Sequence, residues 1–274
     1  MIFFSRWSAS FRWVVRVLPA IFLAVGLSAC GLTPKDEFST QAVEKLYAEA
    51  KADLDSRGYE RAIKALERVE GRAAGTLLAQ QAQLDLAFAR HKSGERAEAL
   101  ATLDRFIRLN PSSPALDYAL YLRGVVNFND NLGLFGDLSR QDLAERDQQA
   151  SRDAHQSFKQ LVEAFPQSRY AEDARLRMDY IVNSLATYEV HVARYYFRRG
   201  AYLAAANRAQ QAVLEYPQTP ASEEALYIMA RSYSFLGLPQ LRDDTERVLK
   251  QNFPTSRYMR GGLTGRDRAW WQFW

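Results

Sequence analysis

The stretch from Gly200 to Pro217 reads GAYLAAANRAQQAVLEYP, and its pattern decides the fold. It begins with a glycine turn, continues through an alanine-rich helical pattern and stops at a proline, which cannot donate the next backbone hydrogen bond of a helix. Similar endings occur elsewhere along the chain. The four endings are Ile107–Pro111, Val162–Pro166, Val213–Pro217 and Leu249–Pro254. The chain therefore repeats one helical unit.

Alanines keep a fixed distance from the first three of these prolines. One alanine stands twelve residues before each proline and another stands eight residues after it: Ala99, Ala154 and Ala205, then Ala119, Ala174 and Ala225. Small residues at these points let paired antiparallel helices approach closely. Glycines that favour a left-handed cap mark the predicted turn inside four of the pairs: Gly58, Gly94, Gly200 and Gly237. The unit resembles the tetratricopeptide repeat, a helix-turn-helix of about 34 residues.

The prolines are 55, 51 and 37 residues apart, so insertions enlarge two of the repeats. The first insertion, 127–152, is predicted to be a loop that runs into the second helix of repeat three. The second lengthens the first helix of repeat four, because 171–199 contain neither Gly nor Pro. We predict an all-α fold, a right-handed superhelix of about five tetratricopeptide-like helix pairs over residues 40–254. The predicted repeats are 40–74, 77–111, 114–166, 168–217 and 219–254.

Composition and charge exclude several classes of protein. The 274 residues are 47% hydrophobic and 25% charged, which disfavours wholesale disorder, a collagen-like fibre and a multi-span membrane protein. Three arginines precede residue 30 without any acid, and beyond them 33 basic residues face 32 acidic ones. A nucleic-acid binder needs a concentrated basic face, so this balance argues against that class.

The first thirty residues are typical of a lipoprotein signal. Arginines up to Arg16 precede an uncharged apolar run over 17–29, which as a helix would span about 20 Å, too short for a bilayer core of roughly 30 Å. The run ends in Leu27-Ser28-Ala29-Cys30, which resembles a lipobox. We predict a signal peptide over 1–29, lipidation at Cys30 and a lipidated linker over 30–39. The alternatives are a plain signal peptide with a coincidental Cys, or an uncleaved N-terminal anchor.

The segment after Pro254 changes in character. Residues 255–274 hold three glycines and four arginines against one acid, and four of the last five residues are aromatic. We predict a flexible basic and aromatic C-terminal tail. Its aromatic end needs burial or an interface. Three environments would cover it: the open end of the last repeat, a groove on a partner protein, or the lipid headgroups of a membrane.

Catalytic and metal-binding patterns are absent from the sequence. His91, His155 and His191 lie more than thirty residues apart without metal-ligand spacing, and no nucleophile elbow, Walker loop or dinucleotide fingerprint is present. We therefore predict a non-enzymatic protein without cofactor or metal that acts through its surface. The enzymatic alternative is a site assembled from scattered residues such as Asp147, His155 and Glu189.

Four strings give a more specific resemblance. They are Asp104–Pro111, Tyr118–Gly124, Arg146-Asp147 ahead of Ala154, and Arg199–Arg208, and in this order they resemble the BamD family, the lipoproteins of the β-barrel assembly machinery. The resemblance covers about residues 27–254, including both insertions. It implies a lipid-anchored subunit on the periplasmic face of the outer membrane. With Gly31 rather than Asp after Cys30, transport to the outer membrane is the expectation.

The resemblance also implies partners. The carboxyl-proximal repeats would bind the POTRA region of BamA, with Asn207 and Arg208 at the family's basic contact. The amino-proximal repeats would receive unfolded outer-membrane proteins, and other lipoproteins of the complex would bind as well. A guanidinium pairs bidentately with a carboxylate, which favours Arg208 as the contact. The alternative for Arg208 is a surface arginine that bridges to its own helix.

The chain departs from the family pattern between repeats one and two. Family members carry an aromatic and proline-rich turn there, whereas this chain has Gly71-Arg72-Ala73-Ala74-Gly75-Thr76, so the proposed substrate contact in that turn does not transfer. The neighbouring Gln80–Leu86 does match and is predicted to lie in the first helix of repeat two. The rival function is an outer-membrane repeat lipoprotein that scaffolds cell-wall synthesis, which would crosslink to peptidoglycan enzymes rather than to BamA.

Overall fold

The structure is a computed structural model and describes residues 40–128 and 148–265. Every regular element in these two ranges is helical. The α-helices are α1 Thr40–Asp55, α2 Tyr59–Arg72, α3 Leu77–Ser93, α4 Arg96–Leu109, α5 Leu116–Asn127, α6 Gln148–Ala164, α7 Ala171–Arg198, α8 Tyr202–Glu215, α9 Ala221–Phe235, α10 Pro239–Asn252 and α11 Arg257–Gly261, followed by a 3₁₀ turn, Gly262–Gly265. The predicted all-α class is confirmed, and the hand of the superhelix stays a prediction.

The chain divides into two compact units, one up to Gln83 and one from Leu84 onward. In the first unit, α1 and α2 pack against each other and bury mostly aliphatic side chains. A hydrogen bond from Gln83 Nε2 to Glu70 Oε1, 2.9 Å long, joins the start of α3 to α2. The amphipathic pattern of α2 accounts for its buried face, which consists of Ala62, Ile63, Leu66 and Val69.

The second unit has three successive hydrophobic clusters. The first is built from α3, α4 and α5, the second is centred on α5, α6 and α7, and the third is built from α7, α8 and α9. Each cluster therefore joins helices that are near neighbours in the chain, as in repeat proteins generally. The six alanines in fixed register with the prolines are all fully buried, which confirms that small residues occupy the close contacts.

Glycines form three of the four predicted left-handed turns. Gly94, Gly200 and Gly237 have φ angles of 90°, 77° and 71°. The prediction for Gly58 is wrong, because Gly58 has a φ of −78° and the left-handed residue is Arg57 with a φ of 60°. The turn between α1 and α2 is thus shifted by one residue, and the backbone nitrogen of Gly58 donates to the Asp53 carbonyl.

The C-terminal segment differs from the predicted flexible tail at its beginning. Ser256 and Tyr258 are buried, and the ring of Tyr258 stacks on Tyr227 of α9 at 5.7 Å. The turn of α11 is therefore part of the folded body, because an aromatic side chain holds it against the last repeat. The aromatic end of the tail, like the insertion loop and the signal segment, lies outside the described residues.

No helix within 40–128 and 148–265 is both long and apolar enough to cross a membrane.

Candidate partner interface

Arg208 lies on α8 and forms an ion pair with Glu189 of α7. Its Nη1 lies 3.1 Å from Glu189 Oε2 and also donates to Gln211 Oε1 at 3.4 Å. The Glu189 side chain is only 4% exposed, whereas that of Arg208 is 43% exposed. A buried carboxylate thus fixes one edge of a guanidinium that remains accessible from outside. Asn207, its neighbour, is exposed.

A chain of polar contacts continues from Arg208 along α8. Gln211 Nε2 donates to Glu215 Oε1 at 2.9 Å, and Arg152 Nη1 of α6 lies 3.6 Å from Glu215 Oε2. The same nitrogen of Arg152 donates to the Tyr216 hydroxyl at 3.1 Å. Burial favours the protonated form of Glu215, but the hydrogen bonds it accepts and the charge of Arg152 outweigh burial and lower its pKa. The surface around Arg208 therefore holds ionised groups in fixed positions.

A second, more deeply buried ion pair connects α7 to α9. Arg194 donates to both Glu224 oxygens, from Nε at 2.6 Å and from Nη2 at 2.7 Å. The Tyr258 hydroxyl donates to Glu224 Oε2 at 2.8 Å, and Arg257 donates to that hydroxyl. Burial, together with the hydrogen bond to Glu224, raises the pKa of Tyr258. This network fixes α11 onto the last repeat.

A groove of about 1080 Å³ lies between α7, the start of α9 and the C-terminal segment. Its walls carry Val190 and Leu263 as apolar groups and His191, Arg194 and Glu223 as polar ones. The charged groups in it are already paired with protein atoms, as Arg194 and the Glu223 carboxylate show. The groove is therefore a shaped surface whose charged walls are paired, and its mixed lining suits contact with a chain segment.

Two of the three residues of the enzymatic alternative, His155 and Glu189, lie in the described part of the chain. Glu189 is occupied by Arg208. Burial and the charge of Lys159 lower the pKa of His155. Asp147 lies outside the described residues. Among residues 40–128 and 148–265 there is no group of three or more His, Cys, Asp or Glu side chains with metal-binding geometry.

The amino-proximal positions separate into a capped turn and a buried helix. Thr76 Oγ1 donates to the Ala73 carbonyl at 2.7 Å and accepts from the backbone nitrogen of Ala79 at 3.2 Å, so it caps the start of α3. Gly75 has a φ of 82°. Within Gln80–Leu86, five of the seven residues are buried, as expected for the first helix of repeat two. The exposed apolar residue nearby is Leu77, and Cys30 lies outside the described residues.

Sequence reasoning did not predict the partners of these side chains. Arg208 was identified by resemblance, but its pairing with Glu189 joins residues 19 positions apart on different helices. The pairs of Glu224 with Arg194 and Tyr258 span 30 and 34 positions. The available signal was an acidic residue on the apolar face of a helix. Carboxylates are rarely buried without a partner, so such a residue indicates a cation elsewhere in the fold but does not say which one.

Comparison with known proteins gives relatives across nearly the whole chain. A family model described as an outer membrane lipoprotein, YfiO, matches residues 39–249. The outer membrane protein assembly factor BamD of Neisseria meningitidis serogroup A is 46% identical over 264 residues, 94% of this chain and 99% of that protein. BamD of Vibrio cholerae is 36% identical over 226 residues, 82% of this chain and 93% of that protein.

Solved repeat proteins are more distant. A tetratricopeptide repeat protein from Parabacteroides merdae aligns with a TM-score of 0.36 and 14% identity, over 77% of this chain and 80% of that chain.

Proposed function

The chain belongs to the YfiO family of outer membrane lipoproteins, and from this membership we propose that it is a non-catalytic subunit of the outer-membrane β-barrel assembly complex. Its C-terminal repeats bind the POTRA region of BamA, and it helps to deliver unfolded outer-membrane proteins for insertion. Other lipoproteins of the complex bind to the same solenoid. The relatives named as assembly factors support this proposal over the cell-wall scaffold.

The observation that carries the BamA contact is the half-exposed guanidinium of Arg208. Both of its hydrogen bonds in the described part of the chain leave from Nη1. Its other nitrogens are available to a partner carboxylate, and the buried Glu189 restricts the rotamers of the side chain in advance. An arginine fixed in this way loses little conformational entropy on binding, which favours affinity.

The test compares three variants in co-purification with BamA. Arg208→Glu removes the guanidinium and places a second carboxylate beside Glu189, so binding should be lost. Glu189→Gln removes the internal ion pair but keeps the guanidinium, so binding should persist with a lower affinity. Arg247→Glu on α10, where the side chain is 72% exposed, is the matched charge reversal and should bind normally.

A folding control accompanies these variants, because Arg208→Glu leaves a buried carboxylate uncompensated. The double variant Glu189→Gln/Arg208→Gln removes the guanidinium without leaving a buried charge. It should also fail to co-purify with BamA. Undiminished binding of a folded double variant would remove Arg208 from the interface.

Acylation of Cys30 is the proposed means of attachment to the periplasmic face of the outer membrane. Several acyl chains at about 0.8 kcal/mol per buried methylene hold a protein on a bilayer essentially permanently. Mass spectrometry of the protein purified from membranes should find fatty acid on the N-terminal cysteine, and Cys30→Ser should appear in the soluble periplasmic fraction. A wild-type protein with an unmodified cysteine would contradict this anchor.

Delivery of substrates is proposed for the amino-proximal repeats. Leu77 at the start of α3 is 74% exposed and offers an apolar contact to an unfolded chain. A photo-crosslinking residue at position 77 should give adducts with unfolded outer-membrane proteins. The matched control is Leu214 on α8, an equally exposed leucine in the C-terminal repeats. Equal adducts at both positions would place the substrate contact elsewhere.

A further inference from the structure

Two turns of the second unit carry positive charge without any acid. They are the turn between α7 and α8 and the turn between α9 and α10, within residues 195–203 and 231–240. These stretches contain Arg198, Arg199 and Arg231 and no Asp or Glu. The next arginine, Arg242, is paired with Asp243 and is not part of this excess. The chain as a whole has nearly equal numbers of acids and bases, so this local excess is a distinct feature.

Aromatic packing joins the two turns into one surface. The ring of Tyr202 stacks on Phe235 with centroids 4.4 Å apart and planes 9° apart. Phe197 lies beside both of these rings, at 5.6 Å and 5.9 Å. The ends of two successive helix pairs thus form one rigid patch, the aromatic–arginine tip. It comprises Tyr195, Arg199, Tyr202, Arg231, Phe235 and Leu236.

Large apolar groups of the tip face outward. Tyr195 is 57% exposed and Phe235 is 53% exposed. Leu236 is also exposed. Two guanidinium groups lie over exposed rings, that of Arg199 over Tyr195 at 5.4 Å and that of Arg231 over Phe235 at 5.5 Å. A half-exposed ring with a cation beside it is the chemistry of a membrane interface, where aromatic rings sit at the level of the headgroups and arginines reach phosphates.

From these contacts we propose that the aromatic–arginine tip docks on the surface of an anionic phospholipid bilayer. The tip is formed by the ends of helices and the turns between them. Its arginines match anionic headgroups, and its rings and leucine enter the headgroup region. The inference goes beyond the proposed function and rests on it only for the presence of a membrane nearby.

The test places an environment-sensitive fluorophore on the tip of the full-length protein purified from membranes. Ser234→Cys carries the label on the tip, and Gln218→Cys carries it at the opposite end of α8 and α9, on an exposed turn about 20 Å away. Vesicles of phosphatidylcholine, with or without phosphatidylglycerol, are added. We expect the label at position 234 to shift to the blue and to be quenched by nitroxide lipids in the anionic vesicles only, while the label at position 218 stays unchanged.

Charge variants test the cause of the shift. Arg199→Glu/Arg231→Glu should lower the ratio of docked to undocked tip by at least roughly 30-fold, since each arginine near an anionic surface contributes several-fold. Arg169→Glu/Arg175→Glu changes net charge equally, at exposed positions far from the tip, and should have no effect. Salt at high concentration should reverse the docking of the wild type.

Two outcomes would overturn the proposal. One is a label at position 234 whose emission stays that of an aqueous environment when anionic vesicles are added. The other is a label that shifts only when BamA is added, which would make the tip a protein interface. Vesicle flotation measured in parallel reports the anchor separately. If the protein fails to float, the acyl anchor is contradicted, and a vesicle titration of the unanchored protein still decides whether the tip docks.

Discussion

The contact between Gly124 of α5 and Phe158 of α6 gives the sharpest quantitative prediction. A Cβ added to Gly124 would lie 2.4 Å, 2.6 Å and 2.8 Å from three ring carbons of Phe158. Carbon atoms pack at about 3.5–4.0 Å, so the ring or a helix must move by more than about 1 Å. Phe158 is fully buried among the side chains of the second cluster, so a shift of its ring must displace neighbouring core side chains. Gly124→Ala should therefore be destabilising.

The magnitude follows from two opposing effects. Alanine in a helix interior is more favourable than glycine by about 1 kcal/mol. Overpacking of a filled core costs about 1–3 kcal/mol, and a completely enclosed ring favours the upper part of that range. The net change in the free energy of unfolding should be a loss of about 1–2 kcal/mol.

Urea denaturation followed by circular dichroism measures this change, with Gly71→Ala as the matched control. Gly71 lies in α2, and an added Cβ there would meet no atom within 4 Å, so its substitution should stabilise by up to about 1 kcal/mol. Phe158→Leu should relieve the clash, giving a coupling of at least about 1 kcal/mol between the two sites. A Gly124→Ala protein as stable as the wild type would refute the close approach of α5 and α6.

Three further predictions concern buried polar groups. Arg194→Leu leaves the Glu224 carboxylate buried without its cation and should cost about 3–5 kcal/mol in urea denaturation, whereas Arg247→Leu, in an exposed pair, should cost at most about 1 kcal/mol. Tyr258→Phe loses the hydrogen bond to Glu224 and should speed amide hydrogen exchange over 256–263, with little change elsewhere. Unchanged exchange over 256–263 would contradict the role given to this hydrogen bond. Tyr118 is partly buried, and loss of solvent raises the pKa of its hydroxyl to about 12. The unfolded chain therefore releases this proton first, and stability falls as pH rises above the ordinary value of 10.0. Tyr118→Phe should make this fall shallower, and an equal slope would show that the Tyr118 hydroxyl is not shielded from water.

The sequence alone determined the helix pairs, because the signals for them are local. Proline ends a helix and glycine adopts the left-handed turn within a few residues of chain, so Gly94, Gly200 and Gly237 were predictable. Alanines in fixed register with the prolines marked the close contacts for the same reason. Resemblance to a family then supplied Arg208, which no local pattern would have singled out.

Tertiary structure alone decided the partners of the polar side chains. Whether Arg208 meets Glu189, or Arg194 meets Glu224, depends on the rotation and crossing of helices that the periodic pattern leaves open. The same holds for Tyr258, whose burial turns the beginning of a predicted tail into part of the fold. The aromatic–arginine tip likewise exists only because packing brings the ends of two successive helix pairs together, across about thirty residues of chain that no local signal spans.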